Sequence, residues 1–94
     1  MVCVYIIYSA SVDRFYIGQS EDVKSRLDQH NQHLIKGSYT SIASDWSLYL
    51  LIDCKSRKQA VNIERHIKEK KSRKYIEFLK KHPELIEELI KNYQ

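Results

Sequence analysis

Hydrophobic and polar positions change period several times along this 94-residue chain, and each change marks an element. Val2 to Ser9 (VCVYIIYS) is nearly all apolar, β-branched or aromatic, and too short for a typical helix. It predicts a strand covered on both faces, with Cys3, Tyr5 and Ile7 pointing one way and Val4, Ile6 and Tyr8 the other. A short connection over 10–13 leads to Arg14 to Gln19, which predicts a second strand folded back as an antiparallel hairpin. Its alternation sets Tyr16 and Gly18 on one face and Phe15 and Ile17 on the other. Ser20 offers an N-cap, and Glu21 and Asp22 place negative charge at a helix start. A helix over about 21–34 follows, with Val23, Leu27 and Leu34 as its buried face.

The polar segment from Ile35 to Asp45 reads as a loop, long enough to contact a ligand. Trp46 to Cys54 (WSLYLLIDC) predicts a third strand. Ser56 then caps a long helix running to about Lys71, with Gln59 completing a capping box and Ala60, Ile63 and Ile67 facing inward. Ser72 caps a helix over 72–81 anchored by Tyr75, Ile76 and Leu79. Pro83 fits the first turn of a last helix, about 83–92, whose apolar face is Leu85, Ile86, Leu89 and Ile90. The expected fold is α/β (α+β): one domain over 1–94, its core at about 2–81, with a small three-stranded antiparallel sheet covered by helices.

Composition narrows the class. At 43% hydrophobic and 30% charged residues, the chain is neither disordered nor membrane-like. No apolar run approaches the roughly 20 residues needed to span a bilayer. The start lacks the basic residues and cleavage site of a secretory signal, so the expected location is the cytoplasm. There, Cys3 and Cys54 are expected as two buried free thiols, and neither has zinc-ligand spacing to another cysteine or histidine. The net charge of +4 is unevenly spread: residues 55–81 carry eleven basic and three acidic side chains. That is either a solvated helix face or a surface for a polyanion, most often nucleic acid.

Candidate chemistry centres on Arg14 to His30, where a strand bearing Tyr16 turns directly into a helix. Arg26 and His30 lie four residues apart and so share one side of that helix. Arg26 could instead pair with Asp22, and His30 could cap the helix end. Tyr5 and Tyr16 are either core residues with hydroxyls at the rim or site residues. Glu64 falls between Ile63 and Ile67 at the edge of a buried stripe, where a carboxylate needs a partner. That partner is either Lys68, one turn on, or a bound cation.

Together these residues resemble the GIY-YIG endonuclease superfamily, in particular its small single-domain bacterial branch related to the nuclease domain of the excision-repair enzyme excinuclease C. The second signature stands intact as Tyr16-Ile17-Gly18. The first appears as Cys3-Val4-Tyr5, keeping the tyrosine and losing the glycine, a change expected to alter only local strand packing. The family's arginine falls on Arg26, its following histidine on His30 and its metal-binding glutamate on Glu64. The run Ile67 to Leu79 also looks like the tail of this branch. The late asparagine of larger members has no counterpart, since 72–81 contains none and Asn92 is too distant.

The resemblance implies a GIY-YIG nuclease fold and a metal-dependent endonuclease acting on DNA, with RNA left open. It implies Mg²⁺ or Mn²⁺ on Glu64, Arg26 gripping phosphate, and Tyr5 as a general base whose pKa is lowered by nearby cations. Tyr16 and His30 would orient the water or the phosphate, with His30 as the alternative base. Lys58, Arg65, Lys68, Lys70, Lys71, Arg73 and Lys74 would hold the flanking backbone without reading its sequence. The alternatives are a nucleic-acid-binding module without hydrolysis and a component of a larger complex, docking through its C-terminal helix. A homodimer or a larger repair complex is compatible with all three.

Overall fold

The computed structural model describes residues 2–35 and 37–94. Three antiparallel strands, β1 (Val2–Ser9), β2 (Arg14–Ser20) and β3 (Trp46–Cys54), form one sheet in the order β2-β1-β3. The register pairs Tyr8 with Phe15 and Ile6 with Ile17 on one face, and Tyr5 with Gly18 and Ile7 with Tyr16 on the other. The period-two reading of both strands therefore holds. Val2, Val4 and Ile6 meet Ile52 of β3 and the Ala60, Ile63 and Ile67 stripe of α2 (Arg57–Lys70). Helices α3 (Arg73–Lys81) and α4 (Pro83–Asn92) add Ile76, Leu79 and Leu89 to this larger core. On the opposite face, Tyr5, Ile7, Ala43 and Trp46 form a smaller core against Val23 and Leu27 of α1 (Val23–Asn31).

Both cysteines are free thiols. The pleat sends them to opposite faces, which separates them as disulfide partners. Cys54 is fully buried, but Cys3 is only partly so, correcting the expectation of two buried thiols. Its Sγ donates to Asp53 Oδ1 at 3.1 Å. Burial, then the Asp53 carboxylate, push the Cys3 pKa up to about 11.

Helix α1 is shorter than its polar pattern predicts. Asp22, not Ser20, is the N-cap: its carboxylate accepts from Ser25 N at 3.1 Å, while Ser20 Oγ accepts from Asp22 N at 3.0 Å. The other end closes at His33, whose φ of 57° is left-handed. Leu34 N then donates to Gln29 O at 2.9 Å, and His33 N to His30 O at 3.2 Å. This is a Schellman closure built without glycine. Leu34 consequently lies beyond the helix and 65% exposed rather than on its buried face. The loop that follows contains one 3₁₀ turn, Tyr39–Ile42, and His33 Nε2 meets Ala43 O at 2.8 Å.

Serines cap both following helices as expected: Ser56 Oγ accepts from Gln59 N and Ser72 Oγ from Tyr75 N, each at 3.1 Å. The Gln59 side chain does not close the box on Ser56. It accepts from Lys55 N at 2.7 Å and donates to Ile90 O at 2.9 Å, tying α4 to α2. On β3, a bulge opposite Ile6 and Ile7 leaves Tyr49 without a register partner. Lys80 Nζ donates to the Tyr49 carbonyl at 2.6 Å and lies over its ring. No helix among the described residues is long and apolar enough to cross a membrane.

His66 links α2 to both later helices, meeting Tyr93 Oη at 2.9 Å and Tyr75 Oη at 3.0 Å. Burial, then Lys70, hold its pKa below the ordinary 6.5; burial, then Arg26, lower that of His30. The unfolded chain thus binds protons more readily than the folded one below about pH 6.5. The stability these histidines contribute is present above that value and is lost as the pH falls through their lower folded-state pKa values. Thermal melts between about pH 7.5 and 5 should show Tm falling with acid, and His66→Gln should flatten the slope.

Candidate active site

Strand pairing brings Tyr5 directly across from Gly18, and the two are packed against each other. A Cβ at Gly18 would lie 2.5 Å from Tyr5 Oη and 2.7 Å from Cζ, so only glycine leaves room for the ring. Tyr5 is 1% exposed. Helix α1 then presents Arg26 and His30 one turn apart over the same face. His30, also 1% exposed, places Nε2 2.8 Å from Tyr5 Oη and Nδ1 2.6 Å from Thr40 Oγ1. The Tyr16 ring lies 5.0 Å from the His30 ring and 6.4 Å from that of Tyr5, centroid to centroid. Two strand tyrosines and a helix histidine thus form one aromatic cluster.

Arg26 does not pair with Asp22; its guanidinium donates to Gln29 Oε1 at 3.3 Å. It also lies beside the Tyr5 hydroxyl, where it favours the phenolate. Burial outweighs that effect, and Tyr16 and Glu64 oppose ionisation as well, so the Tyr5 pKa is pushed up to about 12. The expected downward shift is therefore reversed: removing the phenol from water costs more than the cation returns. Tyr5 is a neutral phenol at pH 7.

Glu64 sits on α2 with its side chain 18% exposed and its Oε2 2.7 Å from Lys68 Nζ. The one-turn ion pair open at the sequence level is present, and the carboxylate still lies close enough to act on Tyr5. Among the described residues, no three His, Cys, Asp or Glu side chains gather to hold a metal.

The basic residues divide into separate groups. Lys68, Lys71 and Arg73 line a groove with Phe15 and Tyr16, where β2 faces the end of α2 and the start of α3. Arg65, Lys68 and Lys71 also line a cleft beside Glu64. Arg73 is already engaged: it donates twice to Asp13, at 2.7 and 3.1 Å, and lies over the Phe15 ring. Lys70 lies over Tyr75, and Lys74 lines a different cleft with Glu77 and Phe78. Lys58 stands apart in the first turn of α2, about 15 Å along the axis from Lys68.

A family model described as the GIY-YIG catalytic domain matches residues 1–76. The chain belongs to the GIY-YIG family. No curated protein and no solved structure matches it significantly. GIY-YIG domains are typically nucleases and generally use divalent metals. Tyr5 and Tyr16, the tyrosines expected to match the family's two signatures, share one face of the sheet, and the contact between Tyr5 and Gly18 explains why glycine follows Ile17 in this chain. Cys3, expected to stand where the first signature has glycine, is partly exposed with its side chain against Asp53. Thr40 and Ser38, which complete the His30 hydrogen-bond chain, carried no sequence signal beyond a polar loop.

Proposed function

We propose that this GIY-YIG chain is a metal-dependent endonuclease that hydrolyses phosphodiester bonds in DNA, directed by nucleic-acid structure or damage more than by base sequence. The observation that carries this reading is the convergence of four groups on one hydroxyl. Tyr5 Oη is bonded to His30 Nε2, flanked by Arg26, and electrostatically coupled to Tyr16 and Glu64. A core tyrosine needs one hydrogen-bond partner; this constellation has the parts that phosphoryl chemistry requires.

Glu64 would hold the cation. A lone carboxylate suits Mg²⁺, with Mn²⁺ as a substitute, because Mg²⁺ keeps several of its waters. When bound, the cation supplies Lewis-acid stabilisation of the phosphate and the leaving oxygen. As water attacks phosphorus, its proton passes to Tyr5 Oη while the Tyr5 proton moves to His30 Nε2. The tyrosine is then a relay and His30 the base, held neutral by its burial. Arg26 donates to the phosphate oxygens on which charge develops. Tyr16, beside His30, closes the site from the β2 side. Lys68 and Lys71, and Arg73 once released from Asp13, would hold flanking phosphates, with Arg65, Lys70 and Lys74 farther along. Lys58 would contact only a longer duplex. The chain would act in the cytoplasm, alone, as a homodimer or within a repair complex.

The test is cleavage of labelled duplex, single-stranded and branched DNA, with matching RNA, in Mg²⁺ or Mn²⁺ and with EDTA. Metal-dependent cutting that favours branched over continuous duplex is expected. Arg26→Ala should lower the rate by about 10²–10³-fold while most binding remains. Salt-sensitive binding without cutting on every substrate would make the chain a binding module instead.

A further inference from the structure

We infer that Thr40, in the 3₁₀ turn after α1, is a positioning residue that selects the His30 tautomer with its free lone pair on Nε2, facing Tyr5. The inference rests on the nuclease reading for its catalytic meaning, but its geometric content stands separately. His30, Thr40 and Tyr5 are each buried, so every polar hydrogen among them has to be placed on a neighbour. Among the described residues, no buried side-chain nitrogen or oxygen in the structure lacks a partner.

Counting donors fixes the direction of the chain. The Tyr5 hydroxyl carries one proton. Arg26 can only donate, and the side-chain acceptor within hydrogen-bond distance of Tyr5 Oη among the described residues is His30 Nε2, 2.8 Å away, so the proton goes there. A neutral ring then carries its own proton on Nδ1, which donates to Thr40 Oγ1 at 2.6 Å. With one side of its oxygen accepting from His30, Thr40 directs its hydroxyl proton to Ser38 Oγ at 2.7 Å. Ser38 Oγ also accepts from Thr40 N at 3.2 Å, which fixes the serine in turn. The threonine is itself held at a second point, since its carbonyl accepts from Trp46 Nε1 at 2.9 Å. Tyr5–His30–Thr40–Ser38 is thus a directed chain, and reversing it would make Nε2 the donor to Tyr5 Oη and leave the buried phenol proton without its His30 acceptor.

This gives the 35–45 loop a defined task. A ring nitrogen is selected as acceptor by the hydrogen bond that its partner nitrogen makes. Thr40 does for His30 what a carboxylate or carbonyl does in other sites where a third group orients the base. A hydroxyl acceptor adds no negative charge, so the ring is oriented without being drawn toward its charged form. Arg26, on the same helix, disfavours that form as well.

The test uses the full chain without metal, labelled with ¹⁵N in histidine, and reads the His30 ring nitrogens by long-range ¹H–¹⁵N spectroscopy near neutral pH. Wild type and Thr40→Ser should show a protonated Nδ1 and a bare Nε2. Thr40→Val, close in shape but lacking the hydroxyl, should shift the ring toward an Nε2-protonated form. Its cleavage rate should fall by about 10–100-fold, the usual scale for a supporting hydrogen bond, with Thr40→Ser restoring it. Ser38→Ala provides a milder variant if the valine protein does not fold, and should move the same signals part-way. An Nε2-protonated ring in the wild type would overturn the inference, whatever the protein cuts. So would unchanged nitrogen signals in folded Thr40→Val. A wild type that cuts nothing yet shows the Nδ1–H ring would sink the nuclease reading alone.

Discussion

Replacing Glu64 with glutamine is expected to remove cleavage almost entirely while leaving the fold in place. Its pair with Lys68 is a one-turn contact at the edge of the buried stripe of α2, and Lys68 is half exposed. Such pairs contribute about 0.3–0.5 kcal/mol, so the melting temperature should hardly move. Chemistry is another matter. A cation on this carboxylate is asked for several kcal/mol of charge stabilisation, and every 1.4 kcal/mol is about tenfold in rate, so losing it should cost roughly a thousandfold or more. Titrating Mn²⁺ into both proteins beside the cleavage assay separates the two effects. Full-rate cutting by Glu64→Gln would place the cation on other groups.

Gly18→Ala should produce the opposite profile, with stability and activity falling together. The added methyl would lie 2.5 Å from the Tyr5 hydroxyl and 2.7 Å from its ring, and that side chain is pinned by β1 behind it and by His30 at its tip. Nothing nearby is the loose end of a flexible side chain. Overpacking of this kind costs about 1–3 kcal/mol. In a chain of this size each kcal/mol lowers Tm by roughly 4–8 °C. Relief of the clash would also pull Tyr5 from His30, so the surviving folded fraction should cut poorly. Combining the substitution with Tyr5→Phe removes the nearest atom, and the two stability losses should then sum to less than their separate values. Strict additivity, measured by denaturant unfolding, would mean that the methyl finds room elsewhere.

Much of this could be read from residue order because the relevant signals are local. Three runs of β-branched and aromatic residues gave the strands, and serines ahead of apolar stripes gave the starts of α2 and α3. The start of α1 was ambiguous for a physical reason: Ser20 and Asp22 are both good caps, and only three-dimensional turn geometry chooses between them. Its end was hidden because His33 takes a left-handed conformation usually left to glycine, while the apolar spacing runs on to Leu34.

The candidate site shows the same division. Tyr5, Tyr16, Arg26 and His30 were legible, and the structure brings them together. The direction of the Tyr5 shift was not, because a sequence displays neighbouring charges but not the loss of water around a phenol. Thr40 was invisible, reaching His30 across ten residues of polar loop. The basic run read as one surface because it is continuous along the chain. A helix spreads it over both length and faces, which leaves Lys58 alone and ties Arg73 to Asp13.

The outer side of β3 has a consequence for how copies of this chain meet. An unpaired strand edge invites another strand, and long exposed apolar edges lead toward aggregation. Leu48 and Leu51 are exposed on this strand, which would otherwise suit such growth. The Tyr49 bulge interrupts the β1–β3 ladder midway, and Lys80 bonds the Tyr49 carbonyl, adding a charge beside the strand. The bulge and the lysine therefore both work against edge-to-edge growth at β3.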